Sequence, residues 1–141
     1  MSVIVTDAGF TQEDWTGTFT EVAALPANAG SVDTAIDLPS DFDPIALSER
    51  LEEIDLIRID FPSFADGRGF TIARQLRLMG FSGRLRARGH VIPDQYAMAR
   101  RAGFDEVEIS DEQAARQPEA DWLRRANWQA HDYQSRLRAR G

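Results

Sequence analysis

The residues best suited to chemistry form the loop Asp66-Gly67-Arg68-Gly69, which precedes an apolar segment with helical spacing. Glycine permits unusual dihedrals and close backbone approach. Free amides at a helix start, with a guanidinium beside them, suit an anion such as phosphate or sulfite. The same residues also have a purely structural reading. Asp66 caps the helix, the two glycines make the turn, and Arg68 locks the loop against Asp60 or Asp94. The tetrapeptide is neither a P-loop nor a dinucleotide fingerprint.

A second cluster follows at Arg88, Gly89 and His90, then Asp94 and Gln95 after Pro93. His90 can serve as an acid–base group or an ion partner near neutral pH. Asp94 falls in the first turn of a helix, where the helix dipole alone accounts for an acid. The candidate set for binding an anion or a partner is therefore Asp66, Gly67, Arg68, Gly69, Arg88, His90, Asp94 and Gln95. No catalytic residue is assigned, because no Ser–His–Asp order, nucleophile elbow or metal triad is visible. The chain has no cysteine, which excludes thiolate catalysis, disulfides and Cys-held clusters. With only His90 and His131, no metal site is expected. No flavin or nicotinamide fingerprint is present, so no cofactor is expected, and a redox enzyme would need one.

These residues must be carried by strands and helices. Val3-Ile4-Val5 reads as a short strand, and Thr16 to Val22 as a second. Val32 to Leu38 is a strand stopped by Pro39, and Asp41 or Asp43 caps a helix with Pro44 in its first turn. Ile54 to Phe61 is the most apolar run and the central strand. Phe70 to Met79 is helical and stops at Gly80. Arg84-Leu85-Arg86-Ala87-Arg88 alternates strictly, as a strand with one dry and one wet face does. Pro93 opens a helix that Gly103 closes, Phe104 to Ile109 is a strand, and Ser110 caps a short helix to Gln117. After Pro118, Leu123, Ala126, Ala130, Tyr133 and Leu137 form an apolar stripe on a helix over 119–139. Trp122 and Trp128 lie off that stripe, where they can meet a partner or the N-terminal element.

Strands and helices that alternate in this way make βαβ units and a parallel sheet. The expected fold is α/β: a small open parallel sheet, an N-terminal β element at one edge and a C-terminal amphipathic helix. One domain over 1–141 is expected, with an irregular β part over 1–31, a βαβ core over 32–118 and the helix over 119–141. Ligands of such sheets gather at the carboxyl ends of the strands. There the chain delivers Asp60, Phe61 and the Asp66 loop, then Arg88 to Gln95, then Glu108 and Ser110. If the strands are adjacent, Arg84, Arg86 and Arg88 face Glu106 and Glu108 as a charge ladder.

The 141 residues suit one domain, and 43% hydrophobic with 28% charged residues is an ordinary globular balance. Sixteen basic residues, all arginine, stand against 23 acids, for a net charge of −7. The acids dominate residues 1–66, whereas residues 68–101 carry eight arginines and one acid, Asp94. Such a bipolar chain can steer a partner or pair with itself. An acidic chain with no reader motif is not expected to bind nucleic acid. No apolar run approaches membrane-spanning length and the start lacks signal-peptide character, so a cytoplasmic, non-membrane protein is expected.

The stretch from Ile59 to Arg74, with Asp60, Pro62, Asp66, Gly67, Arg68 and Gly69, resembles the bacterial family known as domain of unknown function 934. So do Gly83 to Ala87, Gly89 to Gln95 and Gly103-Phe104-Asp105. Residues 54–110 carry the resemblance strongly and the rest of the chain loosely. Where many relatives have Asp after the glycine, this chain has His90. Members are commonly encoded beside sulfite reductase and phosphoadenylyl-sulfate reductase. The resemblance therefore implies an accessory role in assimilatory sulfate or sulfite reduction, binding an oxyanion or a reductase partner. Two alternatives stay open: a small enzyme acting on an anionic substrate at the strand ends, and a structural module that forms a homodimer through its last helix.

Overall fold

The computed structural model describes residues 2–25 and 33–131. Its centre is one seven-stranded sheet. The strands are β1 (Ser2–Thr6), β2 (Gly9–Thr11), β3 (Phe19–Glu21), β4 (Ala35–Leu38), β5 (Leu56–Phe61), β6 (Arg84–Gly89) and β7 (Glu106–Ser110). They lie in the order β2-β1-β7-β6-β5-β4-β3. The five strands from β3 to β7 are parallel, and the β1–β2 hairpin adds to β7 in antiparallel fashion. The fold is α/β.

Helices α1 (Arg68–Leu78) and α2 (Tyr96–Ala102) make the β5–β6 and β6–β7 crossovers. From β4 to β7 each strand lies one place further along the sheet in the same direction. Right-handed crossovers then all fall on one face. Ile57, Ile59 and Phe61 of β5, Leu85 and Ala87 of β6, and Val107 and Ile109 of β7 meet Ile72, Ala73, Leu76 and Ala99 there in one buried core. Gly69 lets α1 come close, because a Cβ at that position would lie 2.5 Å from the Phe61 ring. Gly103 ends α2 in the left-handed conformation, at φ 118°.

Four expectations need correction. The N-terminal β element does not sit at one edge. The β1–β2 hairpin borders β7, while β3 borders β4 at the far edge. Residues 12–18 must therefore cross the face that the helices leave bare. That crossing overturns the wet face of β6: Arg86 is fully buried beneath it. The helix expected after Asp43 is two separate 3-10 turns, Pro44–Leu47 and Leu51–Glu53. Asp43 does cap the first, accepting from Ile45 N at 3.1 Å. However, Ile45 points outward, so the apolar face is too short to hold a continuous helix.

Finally, the stretch after Pro118 is not one continuous helix. Helix α3 (Asp111–Arg116) is followed by α4 (Glu119–Leu123), then turns, then a 3-10 turn at Trp128–His131. Trp122 is the residue that enters the core. It donates to Gln117 O at 2.9 Å and packs edge-on against Tyr96. Burying that indole rolls the expected stripe outward and leaves Leu123 42% exposed. Trp128 docks on the N-terminal hairpin through a 3.2 Å bond to Asp7. The rest of the stripe, at Tyr133 and Leu137, lies outside the described residues.

Candidate functional site

The carboxyl ends of β5, β6 and β7 bring three charged residues into one row. Register pairs Asp60 with Arg88, and Arg88 with Glu108. Neighbouring strands lie about 4.8 Å apart, so the three side chains share one patch. All three stand on the face that residues 12–18 cross, because their neighbours Ile59, Phe61, Ala87 and Ile109 fill the opposite one.

Glu108 is nearly spoken for. It accepts from Arg86 Nη1 at 2.9 Å and from Arg58 Nη1 at 3.1 Å. Arg88 reaches it only at 3.5 Å and keeps 51% of its side chain exposed. Among the described residues Asp60 has no ion-pair partner. Two cavities open at this edge, and Asp60 and Arg88 line both. One, of about 420 Å³, adds Glu21, Asp37, Leu38 and Arg58. The other, of about 320 Å³, adds Ser2, His90, Glu108 and Ser110. The result is a two-lobed cleft with a free carboxylate and a loosely held guanidinium side by side at its centre.

Beneath it runs the charge ladder expected from the alternation. Arg86 donates to Glu106 at 2.6 Å and Arg84 to the same carboxylate at 2.8 Å. Arg58 grips Asp37 through Nε and Nη2, at 2.6 and 2.8 Å. Burial alone would favour losing the Arg58 and Arg86 protons. The surrounding carboxylates outweigh that, so both guanidinium groups hold their protons more tightly than usual.

The predicted residues separate into three places. Arg88 and His90 line the cleft. The His90 ring stands edge-on to Phe64, and its Nδ1 lies 3.2 Å from Phe61 O. The Asp66 loop turns to a different corner. Asp66 accepts from Arg68 N at 3.1 Å, Nε at 3.0 Å and Nη2 at 2.7 Å. Arg68 Nη2 also donates to Ser40 Oγ at 2.9 Å. These bonds from Arg68 bring the Asp66 carboxyl down to about 2. The helix cap is Gly67, and Arg68 faces a groove shared with Asp41 and Asp43, which oppose an anion there. Asp94 lies on a third surface, where Arg125 donates to it at 2.7 Å. Gln95 joins two strand-end loops, accepting from Ile92 N and donating to Phe64 O, each at 3.0 Å.

Sequence reasoning left Asp60 and Glu108 outside the candidate set and passed over Arg58 and Asp37. The signal for Arg58 and Asp60 was present in the alternation Ile57-Arg58-Ile59-Asp60-Phe61, which puts both on the non-core face. Among the described residues no group of three or more metal-ligating side chains is disposed to hold an ion, and no helix is long and apolar enough to cross a membrane.

None of the curated proteins compared with the chain matches it. A sequence family described as "Bacterial protein of unknown function (DUF934)" matches residues 35–141, which include β4 to β7 and every residue of the cleft except Ser2 and the Glu21 to Ala23 turn. The match takes in most of the chain, and the protein belongs to this bacterial family.

Proposed function

We propose that the protein is an accessory binding protein of assimilatory sulfate and sulfite reduction. Its ligand is a small oxyanion-bearing molecule held in the strand-end cleft. The observation that carries this reading is the Asp60–Arg88 pair: opposite charges on adjacent strands, each left open to the cleft. Arg88 takes the anionic group, and Asp60 accepts a hydrogen bond from a hydroxyl or amine of the same ligand. A bare polyanion is disfavoured, because Glu21, Asp37, Asp60 and Glu108 line the cleft with only Arg58 and Arg88 to balance them. The sulfur pathway comes from the resemblance and names the first ligands to try.

The test is thermal stability against adenosine phosphosulfates, which carry hydroxyl and amine groups beside the oxyanion, with sulfite, sulfate and phosphate as bare-anion comparisons. A ligand at a hundred times its dissociation constant adds about 2.7 kcal/mol. A saturable shift that Arg88→Gln reduces by the loss of about ten-fold or more in affinity, and that Arg68→Gln spares, supports the cleft. A shift undiminished in Arg88→Gln, or none with any ligand, overturns it. In that case the next step is capture with purified sulfite reductase.

A further inference from the structure

The bare face of the sheet is covered by a strap, residues 12–18, that runs from β2 at one edge to β3 at the other. The strap has no regular structure and most of its side chains are exposed. Yet its two acids complete the arginine ladder. Glu13 accepts from both terminal nitrogens of Arg86, from Nη2 at 2.9 Å. Asp14 accepts from Arg84 Nη2 at 2.9 Å. Just beyond them, the Phe19 ring lies 3.6 Å from the Arg58 guanidinium carbon.

Without the strap this face carries Arg58, Arg84, Arg86 and Arg88 against Asp37, Asp60, Glu106 and Glu108, so cations are not in excess over the face as a whole. Asp60, however, stands at the strand ends beside Arg88, and the strap supplies Arg84 and Arg86 with carboxylates of their own. The cover is thin: the Arg86 side chain is 0% exposed, while Glu13 is 31% and Asp14 70% exposed. The fit is also imperfect, because the Trp15 indole N–H is buried with no acceptor among the described residues. All four arginines lie within the family-matched residues 35–141, and the strap lies outside them.

We propose that this arginine face is a docking surface for an acidic peptide segment of a partner protein, and that residues 12–19 occupy it in the free protein as an internal stand-in. The occupant's chemistry is read from the strap: two adjacent carboxylates for Arg84 and Arg86, then an aromatic side chain to lie on Arg58. A nucleic acid fits poorly, since Asp37, Glu106 and Glu108 remain in the surface and repel a polyphosphate. The surface shares Arg58 with the ligand cleft, but its carboxylate-binding part, Arg84 and Arg86, lies outside the cleft and requires no small molecule.

A dye-labelled synthetic peptide of residues 9–21 is the probe, titrated into the full chain. In the unaltered protein the tethered strap competes at high effective concentration and keeps the peptide out. The Glu13→Gln/Asp14→Asn double variant frees the face and should bind the peptide about ten-fold tighter or better. That binding should weaken with salt and fall when Arg84→Gln is added. A cooperatively melting double variant that gains nothing overturns the proposal. So does equal binding of a peptide that carries Gln and Asn in place of its two acids. If the double variant does not fold, Asp14→Asn alone, which leaves Arg86 its partner, should gain several-fold. No gain there overturns the proposal as well.

Discussion

Asp60 and Arg88 are register partners on neighbouring parallel strands, yet they do not pair with each other. The guanidinium leans instead toward Glu108, 3.5 Å away, whose oxygens Arg58 and Arg86 already hold. A carboxylate and a cation thus stay separately available at the one edge where two cavities meet.

Asp60→Asn should leave folding stability within about 0.5 kcal/mol, as surface substitutions without structural partners do. Arg88→Gln should behave similarly, since its one ion pair is long and half-exposed. Any ligand of the cleft should lose about 1.5–3 kcal/mol of affinity in Arg88→Gln, roughly ten- to hundred-fold. Urea unfolding and titration calorimetry on the same samples separate the two effects.

Arg86→Met should cost about 3–5 kcal/mol, because it leaves Glu106 and Glu108 buried without their shared cation. Arg58 and Arg84 stay near those carboxylates and hold the loss toward the lower figure. A loss below about 1 kcal/mol in chemical denaturation would mean that the ladder adds nothing to folding.

Gly69→Ala should destabilise by about 1–3 kcal/mol, the usual cost of forcing bulk into a packed contact. Its methyl would meet the Phe61 ring at 2.5 to 3.0 Å in the middle of the α1–β5 contact. Gly80→Ala has open space around it, so its smaller loss would come from the backbone alone, at φ 104°. Reversal of that order in thermal melts would contradict the close helix–strand packing.

The stability curve should bend on the acid side. Burial works to raise the Glu13 carboxyl, but its bonds with Arg86 outweigh it and hold the group below its ordinary 4.5. Asp7 behaves alike: burial opposes ionisation, and bonds from Tyr96, Arg100 and Trp128 prevail, holding it below 3.8. Folded values below unfolded ones add stability that is complete above the unfolded values and is lost as pH falls through the folded ones. The melting temperature should therefore hold from neutrality to about pH 5 and drop below about pH 4. In Glu13→Gln that drop should be shallower. An unchanged slope would mean that Glu13 is not held by Arg86 in solution.

Much of this could be read from local pattern. Period-two alternation placed Arg84, Arg86 and Arg88 opposite Glu106 and Glu108, and Gly80 and Gly103 marked two helix ends. The strap was not legible, because Glu13 and Arg86 lie 73 residues apart and no periodicity links them. The Asp66 loop misled for a related reason. Residue types that suit an anion also suit one another, and only the geometry shows Arg68 closing on Asp66 and Ser40. Trp122 in the core likewise depended on Gln117 O and Tyr96, which no helical wheel of residues 119–139 contains.

The pairing of β1 with β7 also sets an order of events at the ribosome. Val5 lies opposite Val107, so the first strand to be synthesised waits for nearly the last one before it has an edge to join. Strands β4 to β6 and helix α1 need only near neighbours, so closing their contacts costs less chain entropy. The residues of β1, made before every other strand of the sheet, are thus the last to settle. While they wait, the arginines of β6 stand open to whatever acidic chain is nearby.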